Sequence, residues 1–378
     1  MEKKKRKEQE DREMGEVKSV GGQSVCFTEE VYVLGRAAAV GSKEGEGPLR
    51  SFFDVIDETD KFGGENWNDA ESRMMKLAAS LAIQKAGLTP KQIRVLFAGD
   101  LLGQLLASSF GAGELPIPFL GVYGACSTMG ESLLLASMAV DGGFADCAEA
   151  VTSSHFASAE KEFRFPLGYG NQRPLAATWT VTGSGALVVG NRVALERCRV
   201  QREQPEAVSH GKRSAGVEVV ITGGTIGRVT DFGVKDKANM GACMAPAAAS
   251  VVEHHFKDFQ RTPADYDRII TGDLGEIGAK IFADLLGQKG YRVETVQDDC
   301  GLLIYDNELQ DTHSGGSGCG CSAVTLAGYL LDKLYEGEWN RILFVPTGAL
   351  LSPVSANEGS SIPGIAHAIV LERKQEEK

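Results

Sequence analysis

No apolar run in this 378-residue chain is long enough to span a bilayer, and no signal peptide precedes the first folded segment. Cytoplasmic synthesis is therefore expected, with any membrane association coming through partners or the charged N-terminal residues. A positive balance is also missing. The 39 Lys and Arg stand against 51 Asp and Glu, a net charge of -12 that argues against nucleic acid as a partner. The eight cysteines are not spaced as a disulfide framework; they are scattered through apolar or glycine-rich contexts, which suits a reducing compartment. Metal-ligand spacing is lacking too. Cys319-Gly320-Cys321 offers two thiols, and no second Cys/His pair completes a tetrahedral zinc site. No metal and no cofactor are expected.

What the chain does contain is itself, twice. One constant offset lays Ala125-Cys126-Ser127 and the helical stretch after it over Gly320-Cys321-Ser322 and its helix, and keeps Thr152 over Thr347 without a gap. A second offset pairs Thr89-Pro90 and Gly99-Asp100-Leu101 with Thr262-Pro263 and Gly272-Asp273-Leu274. Two gapless registers in the same order point to a duplicated domain. The divisions expected are a charged, disordered tail at 1–23, one half at 24–213 and a second at 214–378. The tail is dominated by Lys, Arg, Glu and Asp, with little to bury. Its basic run Lys3 to Lys7 suits an anionic surface, but the acids that follow largely cancel it.

Within each half, short apolar runs alternate with segments of helical period, an α/β pattern. Val95 to Ala98, Phe119 to Val122, Ile269-Ile270, Leu302 to Ile304 and Ile342 to Val345 read as buried strands. A helix is expected from about Asn68 to Gly87, and the polar stretch from Asn191 to Ser214 reads as the connection between halves. Two similar α/β units packed together make five layers, αβαβα. Gly124-Ala125-Cys126-Ser127-Thr128 sets a cysteine between a strand and a helix N-terminus, where the dipole and free N–H groups favour a thiolate or a bound anion. The plainer alternative is a small buried cysteine in a tight turn.

The duplicated pattern, the Ala-Cys-Ser elbow, Thr182-Gly183-Ser184-Gly185-Ala186 and the glycine-rich loop Gly315 to Cys321 together resemble the thiolase and ketoacyl-synthase superfamily. Longer motifs narrow this to a sporulation family within it. They include Gly99-Asp100-Leu101-Leu102, Ala150 to His155, Asp299 to Tyr305 and Pro346 to Pro353. The resemblance implies a thiolase-like duplicated five-layer fold and a homodimer. It also implies a protein that binds dipicolinic acid, alone or as its calcium chelate. Such a protein works at the forespore and spore inner membrane with membrane proteins of the stage V sporulation A complex, in uptake of the ligand and its release at germination.

The parent chemistry needs an activated cysteine plus imidazole or amide groups that polarise a thioester. The repeat puts Thr271-Gly272-Asp273-Leu274-Gly275 where the superfamily carries its histidine, and Asp298-Asp299-Cys300-Gly301 where it carries an Asn-bearing loop. No histidine stands in either motif, so a non-catalytic protein is expected. His313 lies two residues before Gly315-Gly316, where thiolases hold an acid/base cysteine; a solvent-facing loop histidine is the plainer reading. For a flat aromatic dianion, the ligand residues expected are Cys126, Ser127, His155, Arg164, Ser184, Asp273 and Cys319. Arg164 would grip a carboxylate, with Phe163 and Phe165 covering the ring. Asp273 has an alternative reading as a helix cap. Two other functions stay open: an acyl-CoA condensing or thiolytic enzyme using Cys126, and a purely structural adaptor of a spore membrane complex.

Overall fold

A computed structural model describes residues 18–164, 173–202 and 216–375. Ten strands form one hydrogen-bonded series: β1 (Ser24–Gly41), β2 (Val95–Gly99), β3 (Phe119–Gly121), β4 (Cys147–Ser154), β5 (Gly183–Gly190), β6 (Val217–Thr225), β7 (Arg268–Thr271), β8 (Gln297–Asp299), β9 (Arg341–Val345) and β10 (Ala368–Gln375). The first five lie in the order β3-β2-β4-β5-β1, and the second five in the same relative order, β8-β7-β9-β10-β6. In both, the three strands at the outer edge run parallel and the next two pairings are antiparallel. Even the lead-in turns match: Thr89 with Gln92 and Thr262 with Asp265 each close a capping box before the second strand of their half. The repeat is thus topological as well as textual.

The halves join where β1 pairs antiparallel with β6, Val31 against Ile221 and Tyr32 against Val220. Helices α1 (Trp67–Lys85), α2 (Thr128–Asp141), α3 (Phe156–Arg164), α4 (Met240–Phe259), α5 (Gly275–Gln288), α6 (Cys319–Thr325) and α7 (Leu331–Glu336) complete the frame. Three buried clusters define the layers. Between the two wings of the sheet, Met129, Leu133 and Leu134 of α2 meet Val324 of α6, Leu331 of α7 and strand residues of both halves. Outside the first wing α1 packs Met74, Met75 and Ala78 against β1, β4 and β5. Outside the second, α4 and α5 pack Val252, Phe256 and Phe282. The five-layer αβαβα, thiolase-like fold is therefore present. Each fully buried Leu or Phe contributes about 1.5–3 kcal/mol of transfer free energy. Arg36 of β1 locks the middle layer by bonding the carbonyls of Ala327 and Gly328 and pairing with buried Asp332.

Three local expectations change. Cys300 to Leu303 is a short helix, because Gly301 lies against the backbone of Gly316, where a Cβ would come within 2.4 Å of its carbonyl oxygen. Arg192–Arg202 is helical, so the polar connection is shorter than its composition suggests. Residues 18–23, grouped above with the charged tail, join the sheet: Gly21 turns the chain at φ +57°, Ser19 and Val20 pair with Val25 and Ser24, and Lys18 bonds Asp141. Residues 1–17 lie outside the described residues.

Glu149 is an anomaly. It sits fully buried in β4, on the same side as Cys147 and Val151, and neither carboxyl oxygen has a partner among the described residues. Burial pushes its pKa well above the ordinary value. The unfolded chain ionises this group in the usual carboxylate range while the fold keeps it neutral, so its cost grows as pH rises toward the folded value. Glu149→Leu should stabilise the protein at pH 8 by about 1–3 kcal/mol, with a smaller gain at pH 5, as read by urea unfolding. Equal effects at both pH values would show that Glu149 does not titrate on unfolding.

Candidate functional site

The elbow forms as its sequence implies. Ala125 takes a left-handed φ of +51°, rare for a residue with a Cβ, and throws Cys126 into the space between the two halves. Two close approaches hold it there. Added Cβ atoms at Gly124 and Gly348 would come within 2.0 Å of a Glu131 oxygen and 2.2 Å of the Gly124 carbonyl oxygen. Ser127 turns inward, its Oγ donating to that same carbonyl at 2.8 Å.

Opposite Cys126 stands the second half. The Cys126 thiol faces Asp273, a carboxylate that is 1 % exposed. Asp273 accepts from the Gly318 N–H at 2.9 Å and from Thr347 Oγ1 at 2.7 Å. Burial raises the Asp273 pKa to about 7 against the pull of these donors. Burial first, then the charges of Asp273 and Cys319, push the Cys126 thiol well above its usual value. The helix N-terminus was expected to favour a thiolate. A buried acid on one side and an absence of water outweigh it.

The cleft above Cys126 encloses about 630 Å³ of empty space, counting its mouth. Its walls are mostly apolar: Leu101, Tyr123, Phe163, Met240 and Leu351. Polar groups are few, with Thr180 and Ser317 on one side and Glu160 and Lys237 on facing elements. Lys237, whose Nζ donates to Asn357 at 2.9 Å, is the sole cation among the described lining residues. It lies just ahead of α4, where no motif marked it; only the folding of the second half against the first brings it to the cleft.

The residues singled out in the sequence scatter more than expected. Cys126 lines the cleft, while Asp273 lies directly beneath it and Cys319 behind it, the Cys319 thiol donating to the Ser153 carbonyl at 2.9 Å. Ser127 and Ser184 face away; Ser184 Oγ donates to the Thr152 carbonyl at 3.1 Å inside the sheet. His155 is buried against Trp67, with Nε2 bonded to the Asp60 carbonyl and Nδ1 to the Ala157 N–H. Arg164 ends α3, and its side chain, like Phe165, lies outside the described residues. The capping role weighed for Asp273 belongs instead to Asp299, which accepts from Leu274 and Gly275 N–H. His313 has its Nδ1 at the Pro174 carbonyl and its Nε2 at Asp311, so neither nitrogen is turned to Cys126. Among the described residues no Cys, His, Asp or Glu group is arranged to hold a metal, and no helix is long and apolar enough to cross a membrane.

A duplicated αβαβα fold with a cysteine elbow between its halves is the architecture of thiolase-like proteins. Solved structures agree on the fold. OleA from Xanthomonas campestris with bound lauric acid and lauroyl-CoA superposes with a TM-score of 0.55 at 14% identity, covering 90% of this chain and 99% of that one. The cerulenin-bound form gives 0.54 at 15% identity, covering 91% and 97%. Residues 21–372 match the family described as Stage V sporulation protein AD. The Stage V sporulation protein AD of Bacillus subtilis (strain 168) is 44% identical over 357 residues, 94% of this chain and 98% of that protein. This chain belongs to the stage V sporulation protein AD family.

The raised thiol has a direct readout. At pH 7.5, iodoacetamide should modify Cys126 at least about tenfold more slowly than free cysteine, and Asp273→Asn should speed the reaction by removing the facing charge. Peptide mass spectrometry measures both. A wild-type rate equal to that of free cysteine would overturn this account of the elbow.

Proposed function

We propose that this protein is a non-catalytic thiolase-fold receptor for dipicolinic acid, alone or as its calcium chelate, held in the cleft above Cys126. The observation that supports this most is what faces the cysteine. Thioester chemistry wants an imidazole that can take or give a proton, and a buried acid facing the thiol instead raises the barrier to forming the nucleophile. A flat ring fits between Phe163, Tyr123 and Leu101, and Lys237 suits a charge-assisted bond to one carboxylate. Across the cleft Glu160 offers the hard oxygen that a calcium ion carried by the chelate prefers. The receptor serves ligand uptake into the forespore and release at germination, docked peripherally on the spore inner membrane through membrane proteins of the stage V sporulation A complex.

Calorimetric titration with dipicolinate, with and without calcium, is the test. Saturable binding is expected, weakened about tenfold or more by Lys237→Ala, the scale of a lost hydrogen bond to a charged group. No heat with either form of the ligand would sink the reading and shift weight to a structural adaptor. Acyl transfer from an acyl-CoA to Cys126 would restore the enzyme alternative.

We also infer that the protein is a homodimer. The middle-layer helix α2 still exposes Leu135 and Met138, and among the described residues β3 bonds only β2, leaving an outer edge that carries exposed Leu120. Pairing of such edges across a two-fold axis would cover both. Sedimentation equilibrium should give twice the 40.3 kDa chain mass, and Leu120→Glu with Leu135→Glu should give the single mass. A wild-type monomer at tens of micromolar would refute it.

A further inference from the structure

We infer that Asp273 is a positioning residue that makes the cleft's hold on an anionic ligand depend on proton uptake. This inference rests on the proposed binding of dipicolinate above Cys126. Asp273 does not line the cleft; it acts through two residues that do. Cys126 and Gly318 both border the cavity; the Gly318 N–H donates to the Asp273 carboxylate at 2.9 Å, and the Cys126 thiol faces that carboxylate from the other half. A dianion resting on Cys126 and Gly318 is thus separated from a second negative charge by one buried layer of atoms. Charge repulsion across so short and buried a gap is only weakly screened. Either the ligand binds less tightly or the carboxylate takes up a proton.

The carboxylate is able to take that proton near neutrality. Burial raises the Asp273 pKa to about 7 before any ligand arrives. An anion above it favours the neutral acid and moves the value higher still. By linkage, binding then takes up a fraction of a proton, and affinity falls as pH rises through 7. The surroundings leave few other sources for such a slope. The thiols of Cys126, Cys319, Cys321 and Cys300 face Asp273 from the elbow, from α6 and from the short helix after β8, and burial holds all four well above their usual range. Asp299, at the end of β8, is raised by burial to about 6 and is largely ionised above that. Thr347 does not titrate. Behind Cys319 lie Asp100 and Glu71; burial raises both, Glu71 to about 8, so Glu71 is the competitor that a test has to separate.

Dipicolinate binding should be titrated calorimetrically from pH 6.5 to 8.5, a range in which the ligand itself is fully ionised. At each pH, two buffers of different ionisation enthalpy give the proton count. Wild-type protein should bind about fivefold more weakly at pH 8.5 than at 6.5 and take up part of a proton near pH 7. Asp273→Asn should bind with no slope and no proton uptake, while Glu71→Gln keeps both. Thr347→Val removes one donor to the carboxylate and should move the midpoint to higher pH; it also serves if Asp273→Asn does not fold. Saturable binding with a flat pH profile, or a slope that survives Asp273→Asn, overturns this inference and leaves the proposed function standing. Absence of binding at every pH removes the proposed function itself.

Discussion

A carboxylate without access to water must either gather donors or stay neutral, and Asp273 sits at the balance of the two. Its donors come from two places far apart in the chain, the glycine loop at Gly318 and Thr347 just beyond β9, and the Cys126 thiol of the elbow faces it from the first half. One side chain therefore ties the nucleophile position of the first half to the loop and strand end of the second. The bond geometry of the cleft floor follows from it, as does the neutral state of the thiol. Losing it would free two donors in a buried interior, where each unmet bond costs about 1–3 kcal/mol.

The same scarcity of water explains the chemistry of the surrounding core. Glu44, Glu71, Asp299 and Asp273 all have carboxyl groups raised by burial, the first to about 7 against its bond from Tyr305. A core with several acids near neutrality in pKa is a poor place to generate a thiolate. It is a better place to sense the charge of what binds next to it. Such acids are compatible with the proposed binding role, which has no thioester to activate.

The cleft shows how a duplicated fold can divide its labour. In the first half the repeat supplies an elbow that borders the cleft, with an off-glycine left-handed residue at Ala125. In the second, the corresponding Cys321 is wholly buried within α6, and the approach to the cavity is made by Gly318 instead. Asp100 and Asp273 diverge in the same way. Asp100 caps its own turn, accepting from Leu102 and Ser108 N–H, whereas Asp273 accepts from Gly318 and Thr347, distant in the chain, and faces Cys126 of the other half. Equivalent positions thus do local work in one copy and long-range work in the other.

The sequence alone determined the duplication, the α/β alternation, the five layers and the cysteine elbow, because each is a matter of period, spacing and local backbone need. It also marked Asp273 as the residue standing where an imidazole would serve catalysis. Tertiary structure alone decided which marked residues share the cleft. Ser127, His155 and Ser184 carry ligand-type side chains, yet their bonds turn inward to Gly124, Asp60 and Thr152, partners that no local pattern announces. Lys237, Met240 and Leu351 reach the cavity for the converse reason: a cleft between two halves is lined by residues distant in sequence, and only long-range packing brings them together.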